Sequence, residues 1–257
     1  MKTSAIVLSV LFLAAAAAVA SSSDDLTIVS RHTNNGKPAG TSTDYLSSDH
    51  VRMGSGSGDE TIVDLKTHVM MMLDSKEKTY YTMTKKDMEE FAVKMKEKMN
   101  SPEMKQAMGA MKAMTAGTSG AVNVKKTGAT RKIAGFGCEE WAITMGPSYT
   151  IKECLAKDLQ YPVQAFEAYR DFSESMKSMS SAFAPKAKSG VELGEKLKSL
   201  KGYPVATSAL IDVAGMKMTV DEEVTEVRRG SIPASIWQVP AGYKKIENPM
   251  LRAFEDQ

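Results

Sequence analysis

The chain has 257 residues, with 33 Lys and Arg against 31 Asp and Glu, for a formal net charge of +2. A balance so close to neutral offers no electrostatic case for nucleic acid or an anionic membrane surface. The length fits one large domain.

The first twenty residues read as a secretory leader. Lys2 supplies the positive region, Ile6 to Val19 the apolar run, and Ala18-Val19-Ala20 a small-residue cleavage motif. The run is shorter than a bilayer span requires, and Ser21-Ser22-Ser23-Asp24-Asp25 carries no stop-transfer charge. Cleavage after Ala20 is therefore expected, with residues 21–257 forming one exported domain that has no transmembrane segment. In that compartment the two cysteines, Cys138 and Cys154, are expected to pair as a disulfide.

Short runs rich in Val, Ile, Thr, Tyr and Met follow. They cover Leu26 to Arg31, Thr43 to Leu46, Val51 to Met53, Thr61 to Leu65, His68 to Leu73 and Thr79 to Met83. Turn-formers separate them at Asn34-Asn35-Gly36, Gly54 to Gly58 and Asp74-Ser75-Lys76, which predicts an antiparallel meander. The run His68 to Leu73 does not alternate, so this strand is expected to be covered on both faces.

The period then changes. Thr84 and Asp87 form a capping box, after which Met88, Phe91, Ala92, Met95 and Met99 recur at helical steps. Ser101-Pro102-Glu103 marks a second helix start carrying Met104, Met108, Met111 and Met114. Strands are expected to resume at Val122 to Lys125 and Lys132 to Ala134. A hairpin centred on Gly146 joins Cys138 to Met145 with Tyr149 to Leu155. In that register Cys138 faces Cys154, Glu140 faces Lys152, and Trp141 faces Ile151, with Glu139 against Glu153 as the one discordant pair. Helical pattern returns at Val163 to Phe183 and Val191 to Leu200, ending before Gly202 and Pro204. Val205 to Val213, a turn at Ala214-Gly215, Met216 to Asp221 and Ser231 to Val239 read as strands, and Asn248 to Glu255 as a short helix. Helical inserts within antiparallel strands predict the α+β class, with the helices' apolar stripes packed on the broad face of a curved sheet.

Three segments carry a resemblance: Asp74-Ser75-Lys76-Glu77-Lys78-Thr79-Tyr80, Gly202-Tyr203-Pro204-Val205 and Val239-Pro240-Ala241-Gly242-Tyr243-Lys244-Lys245. Together they resemble a family of exported bacterial domains of unknown function that share the half-barrel of the lipoprotein carrier LolA and its lipid-binding relatives. The resemblance runs from about Leu26 to Lys245. It implies an incomplete, strongly curved antiparallel barrel with helices across its concave face, and it transfers no catalytic residue.

The chemistry of the chain points the same way. His32, His50 and His68 belong to no nucleophile motif. Neighbouring carboxylates such as Glu139-Glu140 and Glu222-Glu223 fall on opposite faces of a strand and cannot share a proton. The 19 methionines are the compositional oddity. Met fills irregular cores, but it also lines adaptable binding surfaces. His68, Met70 and Met72 alternate as a soft-metal set would, a spacing any strand produces, so no metal or other cofactor is expected. The expectation is a periplasmic or secreted, non-enzymatic carrier of a lipid-like or apolar ligand. Its lid would be Met88, Phe91, Met95, Met99, Met104 and Met108, and its sheet side Met70, Met72, Trp141 and Ile151. The alternative is an envelope scaffold with a filled core.

Overall fold

The short β-rich N-terminal runs build six successive antiparallel strands. They are β1 (Leu26–Asn34), β2 (Lys37–Leu46), β3 (His50–Gly54), β4 (Asp59–Asp64), β5 (Val69–Asp74) and β6 (Thr79–Met83). Next come α1 (Lys85–Asn100), β7 (Val122–Ile133), β8 (Phe136–Met145), β9 (Tyr149–Ala156), β10 (Tyr203–Val213), β11 (Met216–Arg229), a 3-10 turn at Ala234–Trp237, β12 (Lys244–Lys245) and α2 (Pro249–Arg252). The structure is a computed structural model and describes residues 25–55, 58–102, 122–146, 148–160, 200–213 and 216–252. The expected leader, the helical reading at Val163 to Phe183, that at 191–200 except for its last residue, and the turn at Ala214-Gly215 lie outside the described residues, as does the second helical segment beyond Pro102.

All twelve strands join one sheet, in the order β12-β6-β5-β4-β3-β2-β1-β11-β10-β9-β8-β7. Every pairing is antiparallel except β12 against β6, so the sheet is mixed, and it does not close. This corrects the expected α+β half-barrel with helices across its concave face. Among the described residues the fold is mostly β, and α1 is the one helix longer than a single turn. The core explains why. Leu26 faces Leu46, Leu46 faces Val51, Val51 faces Val63, Val63 faces Met70, and Met70 faces Met83, an apolar row in register across six strands. Of these, Leu26, Leu46, Val51, Val63 and Met83 are buried in one cluster, with Met70 packed against it. Among the described residues, strands supply most of this interior; α1 adds Met88 to the cluster, also buries Phe91, and lies against β6 and α2. Its start is as expected. Thr84 Oγ1 accepts from Asp87 N at 3.2 Å, and Asp87 Oδ2 accepts from Thr84 N at 2.7 Å.

Three further corrections are local. The region expected as two strands, at 122–125 and 132–134, is the single strand β7, with a bulge between Lys126 and Thr130 absorbing the irregular middle. Ser231 to Val239 is not a strand. Pro233 has no N–H to donate to a ladder, and Ile236 N folds back onto Pro233 O at 2.9 Å. The β8–β9 hairpin is offset by two residues from the Gly146-centred register: Met145 faces Tyr149, Trp141 faces Glu153, and Glu140 faces Cys154. A centre on Gly146 would place Pro147 opposite Met145 at a ladder position it cannot fill. A shift of two keeps every side chain on its face. Cys138 and Cys154 therefore bond diagonally, with Cα atoms 5.3 Å apart. The discordant pair also separates, since Glu139 faces Leu155 and binds Lys126 and Lys157, each at 2.9 Å.

After β11 the chain crosses one face of the N-terminal strands as a strap. Ile236 O accepts from Arg52 Nη1 at 2.7 Å, and the Trp237 ring stacks on His50 with centroids 5.3 Å apart. The strap then pairs with the β6 edge, where Lys244 N donates to Lys78 O and Ile246 N to Tyr80 O, each at 2.8 Å.

Candidate ligand-binding cleft

Because β3, β4, β5 and β6 pair in order, side chains of equal parity line up across them. Met53 faces Thr61, Thr61 faces Met72, and Met72 faces Tyr81. This row lies one step along the strands from the buried Val51–Val63–Met70–Met83 row and on the same face. Burial raises the Tyr81 phenol above its usual range. Thr61 Oγ1 donates to Met72 Sδ at 3.5 Å. One step further, Asp59 faces Asp74 and Asp74 faces Thr79. Tight turns fix this end. Asp74 Oδ1 accepts from Lys76 N and Glu77 N at 2.9 and 3.0 Å, and Ser55 Oγ accepts from Asp59 N at 3.1 Å.

The strap supplies the remaining wall. Once its backbone is pinned to Lys78 and Tyr80, Ile246 and Pro249 stand beside the row, and a cleft of about 530 Å³ opens between them and β3–β6. Met53, Met72, Leu73, Tyr81, Ile246 and Pro249 form its apolar lining, and Asp59, Glu60 and Asp74 its charged one. Glu60 already accepts from Arg52 Nη2 at 2.5 Å.

Of the expected site residues, Met72 lines this cleft, and Met70 lies beside it against the core. Met88 and Phe91 are buried, Met95 is half-buried on α1, and Met99 lies in the last turn of that helix. Met104 and Met108 lie outside the described residues. Trp141 and Ile151 stand on β8 and β9, and the lining of the cleft includes neither. β9 is seven places from β5 in the sheet, so Met72 and Ile151 are not brought together across neighbouring strands. Sequence reasoning passed over Met53, Thr61 and Tyr81, although strand alternation marks them. Ile246 and Pro249 carry no such signal, because their place depends on where the strap docks.

A smaller polar cleft of about 200 Å³ is lined by Arg131, Glu140, Lys152, Ser208, Asp221 and Glu223 among others. Its charges pair internally: Ser208 Oγ donates to Asp221 Oδ1 at 2.6 Å, and Arg131 Nη2 to Glu223 Oε2 at 2.6 Å. At the β2–β3 turn Ser47, Asp49 and His50 also cluster. Ser47 Oγ donates to Asp49 Oδ1 at 3.0 Å, and that same oxygen lies 2.8 Å from His50 Nδ1. The serine is thus bonded to the carboxylate and not to the imidazole, the reverse of what activates a hydroxyl nucleophile.

Among the described residues no helix is long and apolar enough to cross a membrane. Sheet and cleft together define an open-sheet β protein with an apolar recess at one end. The chain belongs to the family described as a domain of unknown function, DUF4412, whose model matches residues 31–243. Its fold is similar to a crystal structure of MucB in complex with MucA(peri), at 12% identity and a TM-score of 0.35, over 85% of this chain and 54% of that one. It is similar to MucB alone at 12% identity and 0.34, over 87% and 59%. The Pseudomonas aeruginosa MucA/MucB complex gives 12% and 0.34, over 85% and 56%. This chain thus spans little more than half of those chains, and the likeness is too slight to bear on what it binds. No curated protein matches it in sequence.

Proposed function

We propose that this protein is an exported, non-enzymatic binding protein that holds a small apolar or lipid-like molecule in the cleft between β3–β6 and the C-terminal strap. The volume of the cleft carries this reading. At about 530 Å³ it falls within the ~300–1,000 Å³ typical of small-molecule sites. The lining suits the role. Two methionines, a leucine, an isoleucine and a tyrosine ring offer adaptable apolar surface, and each buried CH₂ of a ligand contributes about 0.8 kcal/mol. The leader pattern in residues 1–20 supports export.

The test is organic extraction and mass spectrometry of the protein purified gently from its native host, paired with displacement of a fluorescent apolar probe. A co-purifying apolar molecule, and loss of probe binding in Met72→Glu and Ile246→Glu variants that still fold, are expected. Extracts with no apolar molecule, together with no saturable probe binding, would sink the proposal.

A further inference from the structure

The tip of the β1–β2 hairpin carries a chemistry independent of the cleft. We infer that Asn35 is a site of spontaneous deamidation in the folded protein, closing a ring onto Gly36 N. Its isoaspartyl product unfastens the hairpin tip from β11.

An asparagine deamidates when the backbone nitrogen of the next residue attacks its side-chain carbonyl carbon. That nitrogen needs a proton to lose and must not be engaged elsewhere. The chain has five asparagines, and in four of them the requirement fails or is hindered. After Asn34 the nitrogen is Asn35 N, which donates to Thr219 O at 2.8 Å. After Asn100 it is Ser101 N, which donates to Lys98 O at 3.1 Å. Asn123 precedes the β-branched Val124, held extended opposite Ile143 in the β7–β8 ladder. Asn248 precedes Pro249, which has no N–H. Gly36 N makes no such bond among the described residues, and glycine has no side chain to crowd the ring closure. Asn35 and Gly36 are both exposed, so hydroxide and water reach them.

The turn itself explains why this pair stands here. Asn35 and Gly36 have φ of 51° and 73°, the positive values that a two-residue type I′ turn requires. In it Asn35 Oδ1 accepts from Thr219 N at 2.9 Å. That oxygen gathers negative charge as Gly36 N adds to Cγ, and the Thr219 N–H already stands where it stabilises the charge. Hydroxide takes the Gly36 proton, the N–Cγ bond forms, and the Cγ–Nδ2 bond breaks as ammonia leaves with a proton from solvent. Water then opens the succinimide at either carbonyl, giving aspartate or isoaspartate, a net exchange of NH₂ for OH. The isoaspartyl form routes the main chain through Cβ and lengthens a loop whose two residues set the strand register. Both bonds to Thr219 start from Asn35, so the change frees this end of the β1–β11 seam.

The experiment incubates the full mature chain at mildly alkaline pH and physiological temperature, with a synthetic peptide of residues 31–40 as the rate reference. Peptide mapping by mass spectrometry and isoaspartyl methyltransferase labelling follow each asparagine. Asn35 should convert about tenfold faster than any of the other four, and Gly36→Ala should slow it by a similar factor. Hydrogen exchange at Asn35 N and Thr219 N should rise in the isoaspartyl pool. It should stay slow in Asn35→Asp, which keeps an oxygen for Thr219 N. Asn35 intact once the reference peptide has converted, another asparagine converting first, or an unchanged rate in Gly36→Ala overturns the assignment. Unchanged protection at Thr219 N in the isoaspartyl pool overturns its consequence for the seam.

Discussion

Arg131 Nη2 lies 2.6 Å from Glu223 Oε2, although β7 and β11 are separated in the sheet by β8, β9 and β10. In a flat sheet the two strands would run about 19 Å apart. This end of the sheet is therefore curled, and Glu223, which also accepts from Arg31 at 3.3 Å, ties the curl to the centre. Both side chains of the long-range pair are more than a third exposed. A double-mutant cycle with Arg131→Ala and Glu223→Ala should accordingly give a coupling of about 0.5 kcal/mol that shrinks in salt. Urea denaturation of the four proteins measures it, and a coupling above roughly 2 kcal/mol would mean the pair is far less solvated than its exposure indicates.

The Cys138–Cys154 bond closes a loop with a sequence separation of 16. Chain entropy makes such a closure worth about 3 kcal/mol. The Cys138→Ser, Cys154→Ser double variant should lose about that much in urea denaturation. Wild type in reductant should behave in the same way, while each remains folded at 25 °C.

Asp44 sets a pH dependence of unusual sign. Burial, reinforced by the nearby Glu222 and offset by the bond from Gly54 N, pushes its carboxyl up from 3.8 to about 6. A folded-state value above the unfolded one favours the protonated form on folding. The contribution is thus fully present below about pH 4 and is lost as pH rises through about 6. A shift of about two units sets its size at up to roughly 3 kcal/mol. Asp44→Asn, which keeps an acceptor for Gly54 N, should be more stable than wild type at pH 7.5 and nearly equal to it at pH 4. Equal stability of the two proteins at both values would refute the burial account.

Gly202 has φ of 113°, and a Cβ built there would stand 2.7 Å from Ala156 O. Gly202→Ala should cost about 2 kcal/mol or more, from backbone strain and from pushing β10 off the turn that follows β9. Chemical denaturation checks this, with Gly36→Ala as the comparison. Gly36 also has positive φ, but its Cβ would meet no atom within 4 Å.

Much of the fold was legible because strand and turn chemistry is local. Short β-rich runs bounded by turn-formers in Leu26 to Met83 located six strands, and the Thr84–Asp87 box fixed the start of α1. The three segments that carried the family resemblance prove to be junctions. Two of them meet: the 74–80 turn presents Lys78 O and Tyr80 O to Lys244 and Ile246, and the Lys78 ammonium sits 5.3 Å from the centroid of the Tyr243 ring. The third contains the Gly202 close approach. What local pattern could not supply was which strand neighbours which. The Met-rich stripe read as a lid because helical periodicity shows an apolar face but not what covers it; Met88 and Phe91 are buried, and Met104 and Met108 lie outside the described residues. The cleft instead formed where a row of β3–β6 met Ile246 and Pro249, a contact set by the path of the strap after β11.

The seam between β1 and β11 has a consequence for how the chain is made. Leu26 faces Arg229 and Asn34 faces Val220, so the two halves of the sheet are stitched together by one of the first described segments and one of the last. Contacts between such distant positions form slowly, because a long loop must close before any ladder bond rewards it. A ribosome releasing this chain from its N-terminus delivers β1 long before its partner exists, and until then one side of β1 has nothing to zip against. The sheet cannot be completed until β11 has left the ribosome, so its two halves can join only near the end of synthesis.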